Sequence, residues 1–116
     1  MELLYFRFGD SLLPSSIHKN VLVKEIPGFK SELANLESKR NELNFPEELA
    51  DPVSILIEWC YAGKLAPPTA KTSVEDCTQR IKLYCLAARY DQVDLTNTTM
   101  DYIMTYMKKG LPRWDV

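Results

Sequence analysis

The stretch from Ala50 to Gly63, ADPVSILIEWCYAG, constrains this chain more than any other. It opens on an Asp-Pro pair and ends on a glycine, so both helix-boundary signals bracket a single run. Asp51 is expected as the N-cap, its carboxylate accepting from the orphan amides of the first turn. Pro52 is expected as the first helical residue, where a missing N–H costs nothing. Val53, Leu56, Ile57, Cys60 and Tyr61 follow at i, i+3, i+4, i+7 and i+8, which makes one apolar face. Ile55 and Trp59 add a second stripe, so the helix is expected to be buried on two sides. Gly63 stands where a left-handed C-cap is wanted.

Within that helix Cys60 lies between two aromatics, which raises the question of a nucleophile. A reactive thiol needs a base and some exposure. Cys60 lies on the main apolar stripe, and the only histidine, His18, is distant in sequence. Cys60 is therefore read as core. The three cysteines, Cys60, Cys77 and Cys85, stand 17 and 8 residues apart. An odd number without C-x-x-C pairs favours neither a disulfide framework nor a zinc site. Reduced thiols fit a cytosolic or nuclear protein.

Around this helix the other elements are shorter. Leu3 to Gly9 reads as a strand, with Leu4, Phe6 and Phe8 on one face and Leu3, Tyr5 and Arg7 on the other. A weaker strand follows near Leu12 to Ile17, completing a hairpin with a long loop. HKNVLVKEI is a short helix stopped by Pro27-Gly28, and a second helix restarts with Phe29, Leu33 and Leu36 at i, i+4 and i+7. ELNF alternates as a strand ending at Pro46. Pro46-Glu47-Glu48 carries two carboxylates, read as charge complementing a helix N-terminus rather than as an acid/base pair.

Beyond the stiff loop at Pro67-Pro68, Ser73 and Asp76 form a capping box, though Asp reaches less well than Glu. Val74, Cys77, Ile81, Tyr84 and Ala88 share the expected buried face of the helix that follows. The last helix carries Met100, Ile103, Met104 and Met107 as its stripe, read as core filling, with Lys108 and Lys109 suiting its C-terminus and Gly110 its cap. The order predicts an α+β domain, a small sheet of about three strands against about five helices. It spans residues 1–109, with 110–116 as a C-terminal tail.

At 116 residues the chain is one domain, large enough to bury a single core without staples. Its net charge of −2 comes from 14 basic and 16 acidic residues mixed along the chain, which gives no electrostatic case for nucleic acid or an anionic membrane. No segment is apolar over the length needed to span a bilayer, and the start lacks a signal-peptide pattern. Neither a phosphate loop nor a metal-spaced cluster is present, and no cofactor is expected.

Taken in order, several motifs resemble the BTB/POZ domain family, in particular its small fungal members. A His-Lys-x-x-Leu turn appears as His18, Lys19 and Leu22, followed by Phe29 at the next helix. A short strand follows from Leu43 to Glu47. The family's Trp-x-Tyr-Thr-Gly-x-Leu helix end appears as Trp59, Tyr61, Ala62, Gly63 and Leu65, with alanine in the Thr position, and Leu86, Ala87, Tyr90 and Leu95 match the last motif. The resemblance implies a non-catalytic protein–protein interaction module, a scaffold that self-associates or recruits a partner. Alternatives within it are a substrate adaptor for a cullin-type ubiquitin ligase, or an elongin C-like or Skp-type ligase subunit.

The family's dimer uses a helix ahead of the first strand. This chain starts at that strand, so a monomer or weak homodimer is expected. Cullin-binding members present a hydrophobic-x-Glu motif after the Phe-bearing helix. Here the resemblance puts Asn35 in the hydrophobic slot and Glu37 in the acidic one, with Leu36 as the nearest apolar substitute. These three are the tentative partner-binding residues, and the amide in the apolar slot implies weak cullin binding or none.

Overall fold

The computed structural model describes residues 2–9, 15–34 and 41–108. Strands β1 (Leu3–Phe8) and β2 (Ser15–His18) lead into helix α1 (Lys19–Glu25), a 3-10 turn (Pro27–Phe29) and helix α2 (Lys30–Ala34). Strand β3 (Glu42–Phe45) and a second 3-10 turn (Glu47–Leu49) precede helices α3 (Ala50–Ala62), α4 (Val74–Arg89) and α5 (Val93–Lys108). Among the described residues the result is the expected α+β domain, with a small mixed sheet and five α-helices.

The sheet has the order β2-β1-β3. β1 pairs antiparallel with β2 and parallel with β3. Register explains the core: Leu4 lies opposite Ile17, Phe6 opposite Leu43, and Phe8 opposite Phe45. Each of these six side chains is buried. Period-two alternation sends Leu3, Tyr5 and Arg7 to the outer face, where Arg7 pairs with Glu42 at 2.9 Å. β2 begins at Ser15, so the weak strand expected near Leu12 to Ile17 is placed only in its last residues; residues 10–14, like the rest of the hairpin loop, fall outside the described set.

Against the inner face pack Leu22 and Ile26 of the α1 end, Phe29 of the 3-10 turn, and Val53, Leu56 and Cys60 of α3. Pro27-Gly28 breaks α1 as expected, but the backbone makes a tight turn there before α2 begins. Leu33 is buried on α2. Leu36 and Gly110 lie outside the described residues.

α3 begins earlier than the sequence signals indicate. Leu49, not Asp51, is the N-cap, and no side chain caps it. The turn from Glu47 to Leu49 has already wound the backbone, with the Leu49 amide donating to the Pro46 carbonyl at 3.0 Å. Ala50 continues it in right-handed helical geometry. Asp51 thus sits in the first turn, where it favours the dipole without capping. Pro52, now third in the helix, is buried and costs no intrahelical bond.

At the other end Gly63 has φ +74°, and its amide donates to the Trp59 carbonyl at 2.8 Å. Among the described residues nothing lies within 4 Å of a Cβ placed there, so the demand for glycine is conformational, not steric. Gly63→Val is expected to cost more than about 1 kcal/mol, because a β-branched residue is strained at positive φ. An unchanged thermal midpoint would remove the cap from this account.

α4 is capped as its sequence indicates. The Ser73 hydroxyl accepts from the Asp76 amide, and the Asp76 carboxylate accepts from the Ser73 amide, both at 3.1 Å. Its buried face differs from the expected one, however. Cys77 is buried, but Val74, Ile81 and Ala88 are exposed and Tyr84 is half-buried. Leu83, Leu86, Ala87 and Tyr90 fill the core instead. Both faces of α4 carry apolar residues, and packing against α3 on one side and α5 on the other selects the second set.

The same inversion occurs on α5. Leu95, Thr99, Tyr102 and Tyr106 are buried, whereas Met104 and Met107 are 49% and 64% exposed. Met100 and Ile103 are half-buried. Thr99 satisfies its buried hydroxyl within the helix by donating to the Leu95 carbonyl, so a polar residue can occupy the core side. Between α4 and α5 the link reverses at Asp91, whose φ of +55° places it in the left-handed region. Asp tolerates that geometry better than most residues. Among the described residues no helix is long and apolar enough to cross a membrane.

Candidate functional site

The residues carrying the family resemblance meet in two places. At the first, His18 ends β2 and Tyr61 occupies the last turn of α3. The Tyr61 hydroxyl oxygen accepts from the His18 amide at 2.9 Å and lies 2.7 Å from Nδ1 of the same residue. The two rings meet edge-on. Beside them Lys19 anchors the start of α1 through its amide to the Glu2 carbonyl at 3.0 Å and through its ammonium to the Glu2 carboxylate at 3.7 Å. Leu22 is fully buried one turn on.

This contact corrects the reading of α3. Tyr61 does not belong to the buried stripe: it is 52% exposed, and Trp59, at 6%, takes the covered position. Ile57 is half-buried. The Trp59 face is enclosed, while Tyr61 reaches along the surface to the strand terminus.

At the second place Phe29 and Tyr90 stack, with ring centroids 3.8 Å apart and planes 17° from parallel. The Tyr90 hydroxyl donates to Glu32 at 2.7 Å, and Arg89 lies 3.8 Å from the same carboxylate oxygen. Burial, reinforced by that bond to an acceptor, pushes the phenol well above the usual tyrosine range. Neither place forms a catalytic constellation. His18 has a phenol as partner rather than a nucleophile, and Tyr90 is held in its neutral form.

Cys60 is 6% exposed, and burial, with the Glu25 charge adding to it, pushes its thiol up to about 12. Cys77 is also buried and raised, by burial. Cys85 is exposed. A thiolate reagent at pH 8 is expected to modify Cys85 in the folded protein and to reach Cys60 only on denaturation. Rapid native-state modification of Cys60 in a Cys85→Ser variant would contradict its placement in the core. Among the described residues no group of histidine, cysteine and carboxylate side chains is arranged to hold a metal ion.

Asn35, Leu36 and Glu37, the residues tentatively assigned to partner binding, lie outside the described residues. Phe45, which with Pro46 and Glu47 spells the same motif, points inward and is 7% exposed. Two surface features were not expected from the sequence. One is the outward apolar set, Val74 and Ile81 on α4 with Met104 and Met107 on α5. The other is a polar cleft of roughly 690 Å³ where the ends of α1 and α3 meet the start of α5. The signal for the first was present, since each helix carries two apolar stripes, but choosing between them needs the tertiary contacts.

No protein-family model matches the chain, and no curated protein is significantly similar to it.

Proposed function

We propose that this chain is a non-catalytic protein–protein interaction module of the BTB/POZ type. The observation that supports this most is the exposure of large apolar side chains on α4 and α5: Ile81, Met104 and Met107 are each about half exposed or more, as is Val74. Methionine is an adaptable contact residue, and outward methionines on packed helices suit a surface that accepts a protein partner. The motif residues His18, Phe29, Trp59, Tyr61, Gly63 and Tyr90 then serve as the frame that holds the helices in place.

Cross-linking mass spectrometry on the chain purified with its partners tests the reading. A stoichiometric protein cross-linked along α4 and α5 is expected, and Met104→Ser with Met107→Ser should release it. A chain that captures no protein, or that turns over a small molecule, would overturn the proposal. Light scattering across concentration is expected to show a monomer or a weak dimer at micromolar levels. A cullin N-terminal domain belongs in the same series: binding that Leu36→Ala and Glu37→Ala abolish would assign the adaptor role.

A further inference from the structure

Among the described residues, the side-chain polar atoms sealed from solvent without a hydrogen-bond partner gather where the start of α4 packs on the end of α5. They are Nε and Nη1 of Arg80, Oε1 of Gln79 and the hydroxyl of Tyr106. Gln79 and Arg80 stand in the second turn of α4, and Tyr106 lies one turn beyond Tyr102 on the buried face of α5. The Arg80 guanidinium carbon is 4.4 Å from the centre of the Tyr102 ring, which ties the two helices together at this level. Buried polar groups are ordinarily paired, and a cation is the costliest to leave alone.

Arg80, Gln79 and Tyr102 also line a cleft of roughly 380 Å³, with Asp51 and Ile55 of α3 and Asp76 of α4 completing its wall. Two carboxylates thus border the cleft, yet Arg80 forms no ion pair among the described residues. The Asp76 carboxylate is already engaged, accepting from the Ser73 amide at 3.1 Å. A guanidinium without an acceptor beside an amide oxygen without a donor calls for an occupant that carries both an anion and an N–H. Inorganic phosphate fits poorly, because its charge is repelled by Asp51 and by Asp76 together. A single carboxylate on an otherwise neutral peptide is opposed least and brings backbone N–H groups with it.

We propose that this cleft binds an acidic side chain carried on a peptide segment of a protein partner. The carboxylate pairs with the Arg80 guanidinium, whose planar fork matches two carboxylate oxygens, and a backbone N–H beside it donates to Gln79 Oε1. The inference rests on the interaction-module reading and deepens it by giving the chemistry of the partner. Ile81 follows Arg80 on α4, and Met104 and Met107 stand among Tyr102 and Tyr106 on α5, so the cation has the exposed apolar side chains as its neighbours in sequence.

The probe is an acetylated, amidated Ala-Ala-Glu-Ala-Ala peptide added to ¹⁵N-labelled protein, with Ala-Ala-Gln-Ala-Ala and inorganic phosphate as separate arms. Arg80→Met assigns the Arg80 Nε–H resonance by its disappearance. The Glu peptide is expected to shift that resonance and the amides of Gln79 and Asp51, and the Gln peptide should bind about tenfold more weakly, the size of one lost charge-assisted contact. Arg80→Lys, which keeps the charge and loses the fork, should weaken the Glu peptide by a similar factor. Binding should also weaken as salt rises from 50 to 500 mM. In the free chain Arg80→Met should melt at or above the wild-type midpoint, because it removes a cation with no partner. A lower midpoint would make Arg80 a structural brace and overturn the inference. So would no shift at Arg80, equal affinity for the Glu and Gln peptides, or phosphate binding as tightly as the Glu peptide. If partner capture along α4 and α5 persisted in any of those cases, the module reading would stand without the cleft. Glu-peptide binding with no partner captured would support the cleft and remove that reading.

Discussion

Phe6→Ala is expected to remove about 3–5 kcal/mol of stability, the cost of emptying a fully enclosed aromatic site. Phe6 is on the central strand and has no exposed surface. Its ring meets Phe29 edge-on at 6.5 Å and Phe45 at 5.7 Å. The contact with Phe29 reaches the turn between α1 and α2, and that with Phe45 reaches the neighbouring strand. The vacated volume is therefore bordered by separate elements, and none can close it without leaving its other contacts. A domain of this size has roughly 5–15 kcal/mol in total. The urea midpoint should fall by a large fraction, while Tyr5→Ala, one residue away on the outer face and 40% exposed, should stay within about 1 kcal/mol. Equal effects from the two substitutions would mean that the sheet does not bury the face described.

Gly28→Ala is expected to be nearly as damaging, for a different reason. A Cβ at Gly28 would lie 2.3 Å from the Tyr90 carbonyl oxygen and 3.0 Å from its carbon. The obstructing atoms are backbone, so no rotamer change relieves the overlap. Either the turn from Pro27 to Phe29 or the end of α4 must move. That movement would separate Phe29 from Tyr90, now stacked at 3.8 Å, and lengthen the Tyr90–Glu32 bond of 2.7 Å. Overpacking of this kind costs about 3 kcal/mol, with a fall in the thermal midpoint of roughly 10 °C or more. Loss of the Tyr90–Glu32 bond alone, tested by Tyr90→Phe, should cost only about 1–3 kcal/mol. A Gly28→Ala protein melting with the wild type would show that the turn does not touch Tyr90.

The two substitutions separate what is local from what is not. Phe6 was legible in the sequence, because alternation in LLYFRF places it with Leu4 and Phe8 whichever strands flank them. The need for glycine at position 28 was not, since it arises from an approach to a residue 62 positions away. The candidate surfaces follow the same division. Trp59, Gly63 and Tyr90 could be picked out by motif, but nothing in sequence order brings Asp51 and Tyr102 to one cleft with Arg80.

Sequence by itself determined the features that depend on neighbours within a few residues. These are the alternation of β1, the Ser73–Asp76 capping box, the left-handed cap at Gly63 and the break at Pro27-Gly28. Each rests on a local hydrogen bond or a local backbone preference, so the residues involved carry the whole cause. Tertiary structure decided the rest. It chose β3 as the parallel neighbour of β1 and started α3 at Ala50 rather than after Asp51. It buried Trp59 and left Tyr61 at the surface, and it turned Met104 and Met107 of α5 outward. A helix with apolar residues on two faces does not say which face is covered. That choice belongs to the long-range contacts, because burial is a property of the surface another element happens to enclose.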